Sequence, residues 1–357
     1  MKADSPPSRS AQWLDLVSGR RRGWGAALSR AALNALTPFY AGGIALRNQL
    51  YNWNLLRRHR VPARVISVGN LTAGGTGKTP TVAWIVRSLL AAGERPAIIS
   101  RGYGGQNGAN DEKLVLDQLL PGVPHRLSPD RVAGARDLLA GDASVRPTHL
   151  VLDDAFQHRR IHRDVDLVLI DALNPWGYGY LLPRGLLREP LRALSRATAV
   201  LVTRTDLIGE STRLDIARKI REVTAAPILW SRFEPTQLRR SSGETLPLLE
   251  AREKRWGAFC GIGNPDGFWR TLTSCGLAVS DERFRAYPDH HWYQSGELTD
   301  LAQWGQKLGV DGLLATHKDL VKIPQSSLGG LPLWALDIEL RLDDDQADQL
   351  VQLLLGQ

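Results

Sequence analysis

Short apolar runs alternate with helical patterns through most of the chain after residue 60. The runs are "RVISVG", "RPAIIS", "THLVLDDA", "VDLVLIDA", "TAVLVTRTD" and "APILWSRF", and helical periodicity follows near Thr79–Ala92 and Thr212–Val223. Strands buried on both faces read as continuous apolar runs, and intervening helices connect parallel neighbours. The pattern therefore predicts an α/β fold in which a parallel sheet is flanked by helices.

A different pattern begins near Phe233 and divides the chain. The stretch "FEPTQLRRSSGETLPLLE" alternates weakly around a Ser-Ser-Gly turn, as in a two-stranded ribbon. A new strand, loop and helix follow in "WGAFCGIGNPDGFWRTLTSCG". Since 357 residues suit two domains, we predict an arm over 1–60, a core over 61–232, a two-stranded linker over 233–252 and a smaller α/β domain over 253–357. The last helix could pack back on the core.

Positive charge is concentrated in the arm. Residues 1–60 carry ten basic and two acidic residues, a net charge of +8 that equals that of the whole chain. The remaining residues are balanced, which argues against a broad nucleic-acid surface. Two cysteines, Cys260 and Cys275, lack C-x-x-C spacing and fit a reducing compartment.

The arm also carries aromatic and apolar residues. Trp13, Trp24 and Trp53 accompany 16 uncharged residues between Arg30 and Arg47, a run shorter than the roughly 20 that a spanning helix needs. Basic flanks and a modest apolar stretch predict a helix that lies in the membrane interface. An ordinary helical hairpin packed on the core is the alternative, and both descriptions could hold at once. The first 30 residues lack the pattern of a signal peptide.

A glycine-rich loop follows the first strand of the core. "AGGTGKT" joins this strand to a helix, the context in which backbone N–H groups and a helix N-terminus bind phosphate. Lys78 would reach the terminal phosphates and Thr79 would hold Mg²⁺. The standard P-loop has glycine at position 72, where this chain has threonine. The predicted nucleotide-binding residues are Thr72, Ala73, Gly74, Gly75, Thr76, Gly77, Lys78 and Thr79.

A second strand ends in two carboxylates. Asp153 and Asp154 follow "LVL", where a P-loop enzyme needs an acidic residue for magnesium. Because neighbouring strand residues face opposite ways, one would face the metal and the other Lys78 or a water. The alternative is that both aspartates only cap the next helix. Asp171, after "LVLI", is better explained as a turn residue at a strand end.

Seven motifs in order resemble the tetraacyldisaccharide 4'-kinase family. They are "VGNLTAGGTGKTP", "SRGYGG", "DDAFQH", "LPRGLLREP", "GIGNPDGFWRTL", "PDHH" and "THKD". The resemblance implies a P-loop domain joined by a two-stranded linker to a smaller domain. It also implies transfer of the γ-phosphate of ATP to the 4'-hydroxyl of an acylated disaccharide 1-phosphate lipid, giving lipid IV-A. The family's usual "GDEP" appears here as "ANDEK". Asp111 and Glu112 are therefore kept, but the glycine and the proline that flank them in the family are not.

The resemblance also implies residue roles. Asp111 would accept the hydroxyl proton, His290 would orient or tune it from the smaller domain, and Glu189 would be a third carboxylate near magnesium. Predicted substrate contacts are Arg101, Tyr103, Glu112, Arg131, Gln157, His158 and Arg188, since arginine matches phosphate geometry.

The resemblance places the substrate at the cytoplasmic face of the bacterial inner membrane. The basic arm would bind this anionic surface, which makes the enzyme peripheral or monotopic. The sequence gives no sign of an obligate protein partner. The sequence leaves two other classes open. One is a P-loop GTPase, because "LVTRTD" is close to the guanine-binding motif of these proteins but has Arg204 in place of lysine. The other is a membrane-bound ATP-dependent adaptor.

Overall fold

The computed structural model describes residues 9–102, 111–289 and 291–357. These residues form two compact units. The larger unit contains the described residues of Trp13–Gly104, Leu119–Phe233 and Leu340–Gln357, and the smaller one those of Met1–Gln12, Gly105–Gln118 and Glu234–Glu339. Residues 111–118 thus group with the smaller unit, and the C-terminal helix groups with the larger one.

Helices and strands alternate along the chain. The strands are β1 (Arg64–Asn70), β2 (Pro96–Ser100), β3 (His125–Leu127), β4 (His149–Asp153), β5 (Val165–Asp171), β6 (Ala199–Thr203), β7 (Ile228–Arg239), β8 (Thr245–Pro247), β9 (Trp256–Cys260), β10 (Phe284–Ala286), β11 (Gly312–Ala315), β12 (Ser327–Leu328) and β13 (Leu331–Leu342). The helices are α1 (Arg9–Val17), α2 (Trp24–Asn52), α3 (Lys78–Ala91), α4 (Asp111–Leu119), α5 (Arg131–Leu139), α6 (Glu210–Arg221), α7 (Leu248–Ala251), α8 (Pro265–Ser274), α9 (Ser295–Lys307), α10 (His317–Leu320) and α11 (Asp344–Leu355).

A parallel sheet is the centre of the larger unit. Its strand order is β7-β6-β5-β1-β4-β2-β3, and each neighbouring pair is parallel. The central strands are buried along nearly their whole length because apolar clusters cover both faces. One cluster includes Ile216 of α6, and the other includes Val132 of α5. The predicted parallel sheet with flanking helices is confirmed.

Two further helices, α11 and α2, belong to the larger unit. α11 packs against α3, and Arg64 at the start of β1 donates a hydrogen bond to the carbonyl of Leu354 at 2.7 Å. α2 is one continuous helix of 29 residues that contains Pro38. Among the residues that the structure describes, no helix has the length and apolar character needed to cross a membrane.

The smaller unit contains a further run of neighbouring strands. β10, β9, β11 and β13 are neighbours in that order and parallel, whereas β12 is antiparallel to β13. β7 and β8 form an antiparallel ribbon around the positive-φ residue Gly243, where the Ser-Ser-Gly turn stood in the sequence. Trp256, Leu314 and Trp334 are part of the apolar core. Cys260 and Cys275 are buried free thiols.

Candidate active site at the glycine-rich loop

The loop between β1 and α3 depends on glycine at its C-terminal end. Gly77 precedes Lys78 with φ 88° and ψ 27°, the left-handed conformation that glycine adopts without strain. A side chain at Gly77 would overlap the ring of Phe233. Gly74 also has a positive φ, of 126°. The backbone therefore turns sharply into the N-terminus of α3, whose first N–H groups favour an anion.

Contacts with β6 and the residue after it brace the loop. The Thr203 hydroxyl donates to the carbonyl of Thr76 at 3.1 Å, and Arg204 Nη2 donates to the carbonyl of Gly75 at 3.1 Å. Arg204 also forms an ion pair with Asp171. Arg204 therefore contacts the phosphate loop itself. It stands in "LVTRTD" where the guanine-binding motif of GTPases has lysine. Sequence reasoning missed this bracing role.

The beginning of the loop pairs with the "LLRE" segment. Ala73 N–H donates to the carbonyl of Leu186 at 2.7 Å, and Arg188 N–H donates to the carbonyl of Leu71 at 2.7 Å. Thr72 and Leu187 form an isolated antiparallel bridge. Extended backbone at residue 72 does not need glycine, which explains why threonine is accommodated there.

Asp153 and Asp154 have different partners. Asp153 is buried at the end of β4, and its Oδ2 accepts a hydrogen bond from the Ser100 hydroxyl at 3.3 Å. Asp154 lies beyond the strand with φ 49°. It accepts two hydrogen bonds from Arg188 Nη1, at 2.8 and 2.9 Å, and its Oδ1 is 3.6 Å from Lys78 Nζ.

Opposing effects act on Asp154. Burial by itself raises the pKa of this carboxyl, but Lys78 and Arg188 outweigh burial and lower the pKa below its usual value. Asp154 is therefore an ionised carboxylate near neutral pH. It holds two cations at the start of α3, where phosphate oxygens would bind.

Glu189 is fully buried between two guanidinium groups. Its Oε1 accepts a hydrogen bond from Arg47 of α2 at 2.7 Å, and its Oε2 pairs with Arg196. Among the described residues, no group of three metal-binding side chains converges. Asp153, Asp154 and Glu189 are thus not brought together as one cluster, and the metal role of Glu189 stays a prediction.

The residues after the acidic pair contribute to the interior of the site. Gln157 Nε2 donates to the carbonyl of Asn70 at 2.9 Å, and Asn70 is itself fully buried. The side-chain amide of Asn70 has no hydrogen-bond partner among the described residues. Burial and the charge of Arg131 lower the pKa of His158 to about 4, so its ring is neutral at pH 7. Asn70 was not among the sequence candidates.

The remaining substrate candidates lie in several settings. Arg131 is 1% exposed and donates to the carbonyls of Ser128 and Asp153, at 2.8 and 3.0 Å. Arg101 is exposed just after β2. Tyr103 lies outside the described residues.

Asp111 and Glu112 begin α4 and belong to the smaller unit. The Asp111 carboxylate accepts a hydrogen bond from Glu112 N–H at 3.1 Å and is 3.6 Å from Lys322 Nζ. Glu112 is 3.6 Å from Lys318 Nζ. His290 lies outside the described residues, so its predicted contact with Asp111 stays a prediction.

Comparison with known proteins gives one consistent family. The sequence model of the family described as "Tetraacyldisaccharide-1-P 4'-kinase" matches residues 29–355. The chain is 37% identical over 336 residues to the tetraacyldisaccharide 4'-kinase of Syntrophus aciditrophicus, covering 87% of this chain and 88% of that one. It is 38% identical over 321 residues to the enzyme of Anaeromyxobacter sp. strain K, covering 84% and 82%. The crystal structure of "apo" form LpxK from Aquifex aeolicus in complex with ATP matches at a TM-score of 0.74 and 29% identity, covering 92% of this chain and 98% of that one.

Proposed function

The chain belongs to the tetraacyldisaccharide-1-P 4'-kinase family, and on this basis we propose how its residues carry the family's reaction. The enzyme transfers the γ-phosphate of ATP to the 4'-hydroxyl of a tetraacylated disaccharide 1-phosphate and gives lipid IV-A for lipid A biosynthesis. The cluster of Lys78, Asp154 and Arg188 at the start of α3 is the observation that carries the assignment of the phosphate site.

We assign charge neutralisation to this cluster. Phosphoryl transfer spreads negative charge over the oxygens of the γ-phosphate, and positioned cations stabilise that charge. Lys78 would contact the terminal phosphates, and the N–H groups of Gly75 to Thr79 would cradle the others. The ion pairs with Asp154 keep the ammonium and guanidinium groups beside the loop.

Magnesium fits the oxygen donors that the site offers. Mg²⁺ is usually bound by one or two carboxylates together with substrate phosphates, and the ionised Asp154, Asp153 and the Thr79 hydroxyl are donors of this kind. When bound, the ion would neutralise charge on the phosphates. We propose that Glu189, whose described partners are Arg47 and Arg196, chiefly fixes the segment that carries Arg188.

Asp111 is the proposed acceptor of the 4'-hydroxyl proton. The family resemblance supports this role, as does the position of Asp111 as a nearly buried carboxylate at the start of a helix. His290 is proposed to orient or tune it. For the acceptor lipid, we propose contacts with Arg101, Tyr103, Glu112, His158 and Arg188, while Arg131 and Gln157 support the backbone that presents them.

The helix α2 is the proposed membrane-binding element. Its large apolar side chains are unusually exposed, with Trp24 at 89% and Phe39 at 79%. Such a face next to basic residues suits the interface of an anionic membrane, where tryptophan and arginine are favoured. We propose that it docks the enzyme on the cytoplasmic face of the inner membrane, which is where the lipid acceptor would be reached.

The function is tested by incubating the protein with γ-labelled ATP, Mg²⁺ and the disaccharide 1-phosphate lipid in mixed micelles. We expect label in a glycolipid product, slower transfer from GTP, and a loss of about 10²-fold or more for Lys78→Ala. Hydrolysis of nucleotide without label in the lipid would contradict the proposal. Near-normal transfer by Lys78→Ala would show that this loop is not the phosphate site.

A further inference from the structure

Lys322 is a buried lysine of the smaller unit. It has no part in the phosphate site proposed above. Its side chain is 1% exposed, and its Nζ lies 3.6 Å from Asp111 Oδ2. A buried ammonium is costly unless a counter-charge is close. The nearly buried Asp111, with a side chain that is 8% exposed, supplies that counter-charge.

Among the described residues, Lys322 and Lys318 both lie close to carboxylates at the start of α4. Lys318 lies four residues earlier, in α10, and its Nζ is 3.6 Å from Glu112. Two ammonium groups thus meet two consecutive carboxylates, but in different surroundings. The Lys318–Glu112 pair is about one-third exposed on each side, whereas the Lys322–Asp111 pair is shielded from water. Shielding makes the inner pair the stronger interaction.

Among the described residues, Asp319 is a second carboxylate that attracts Lys322. Its oxygens accept hydrogen bonds from Gly261 N–H, the Tyr293 hydroxyl and the Thr316 hydroxyl, at 3.0, 3.0 and 2.6 Å. Burial raises the pKa of Asp319 in spite of these donors and of Lys322. Asp319 is thus fixed by its own hydrogen bonds. On α4, Lys113 is paired with Asp117.

We propose that Lys322 is a positioning residue that keeps Asp111 ionised and directed for proton acceptance. This inference rests on the proposed function, in which Asp111 is the base. The hydroxyl oxygen forms a bond to the γ-phosphorus, the bond to the leaving ADP oxygen breaks, and the hydroxyl proton passes to Asp111. Lys322 takes no part in the proton transfer and acts only through the carboxylate.

The test is the pH dependence of kcat, with ATP and lipid saturating, for Lys322→Met and its controls. A cation next to a carboxylate typically favours ionisation by one to three pH units, so the acid limb should move to higher pH by about one unit or more. At a fixed pH on that limb, turnover should fall about tenfold for every pH unit that the limb moves. Lys322→Arg should retain most of the wild-type profile. Lys318→Met, which breaks the exposed pair, should leave the acid limb in place.

The outcomes separate the inference from its premise. A folded Lys322→Met with an unmoved acid limb, or with an equal loss at every pH, would overturn the inference. If Lys322→Met does not fold by circular dichroism, Lys322→Gln is judged by the same criteria. Full activity of Asp111→Asn would overturn the proposed role of Asp111 as the base. A large loss of activity in Asp111→Asn, together with an unchanged acid limb of the kcat profile in the Lys322 variants, would overturn only the inference about Lys322.

Discussion

The Tyr40 hydroxyl donates a hydrogen bond to the carbonyl oxygen of Arg188 at 3.0 Å. Tyr40 belongs to α2, the helix with the exposed apolar residues, while the side chain of Arg188 binds Asp154 beside Lys78. Arg47, also of α2, donates to the buried Glu189. α2 therefore packs on the segment that brings Arg188 to the phosphate loop, and it supports that segment as well as presenting exposed apolar side chains.

Arg47→Met should destabilise the larger unit and weaken the site. The change leaves Glu189 buried with one of its two described cationic partners. Removing one member of a buried ion pair costs about 3–5 kcal/mol, and the partial exposure of Arg47 should reduce this to about 1–3 kcal/mol. Urea unfolding measures the change, with the exposed Arg57→Met as a control expected within about 0.5 kcal/mol of wild type. Equal stability of Arg47→Met and Arg57→Met would contradict the anchoring role.

Replacing Arg20, Arg21 and Arg22 by serine should weaken binding to anionic vesicles. Each basic residue near such a surface contributes about 1 kcal/mol, and salt screens the contribution. Co-sedimentation with vesicles at increasing salt measures the effect, with neutral vesicles as the control. If the triple variant binds as tightly as wild type, and binding does not depend on salt, the helical-hairpin alternative for the arm gains support.

Asp111→Asn should lower kcat and leave ATP binding nearly unchanged. Asparagine keeps the shape of the side chain but cannot take the hydroxyl proton, and general-base catalysis typically contributes about 10²–10⁴-fold. Steady-state kinetics and equilibrium binding of ATP separate the two effects. Full activity would move the base elsewhere, with Asp153 or Asp154 as the next candidates.

His290→Ala should cost less than Asp111→Asn. If the two residues act as one unit, the double variant should be little worse than Asp111→Asn alone, because such effects are not additive. The kcat values of the two single variants and the double variant test this. Multiplicative losses would show that His290 has a separate role.

His158 should make the protein less stable as the pH falls from neutral. Its pKa is lowered to about 4 in the folded state by burial and by Arg131. The pKa of a histidine in the unfolded chain is about 6.5. At pH values between the two pKa values, the unfolded chain therefore binds a proton that the folded chain does not. Urea unfolding between pH 7 and pH 5 should therefore show a smaller loss of unfolding free energy in His158→Gln than in wild type. The same pH dependence in both proteins would count against a neutral buried His158.

The sequence predicted the parts of the molecule that depend on local pattern. The parallel sheet follows from apolar runs such as that of β5, and the loop follows from the glycines before Lys78. The resemblance in seven motifs named the family that the comparisons then identified. Each of these signals lies within a few consecutive residues, and for this reason the sequence alone was enough to predict these features.

Contacts between distant residues could not be read in this way. No sequence pattern near Glu189 predicts its contact with Arg47. Arg47 is 142 residues away and donates a hydrogen bond to the Glu189 carboxylate. Lys322 is also far in sequence from Asp111, although the neighbouring "THKD" motif marked the segment. Asn70 was visible within "VGN", but only its burial in the structure distinguishes it from an ordinary strand residue.

The most direct test of the account is the position of the transferred phosphate on the product. Phosphorus NMR of the purified glycolipid, correlated with the sugar protons, identifies the esterified hydroxyl, and a 4'-deoxy acceptor serves as the control. The account predicts a new phosphate at the 4'-oxygen, absent with Lys78→Ala, and no transfer to the 4'-deoxy lipid. A phosphate on another hydroxyl, or transfer to the 4'-deoxy lipid at a similar rate, would contradict it.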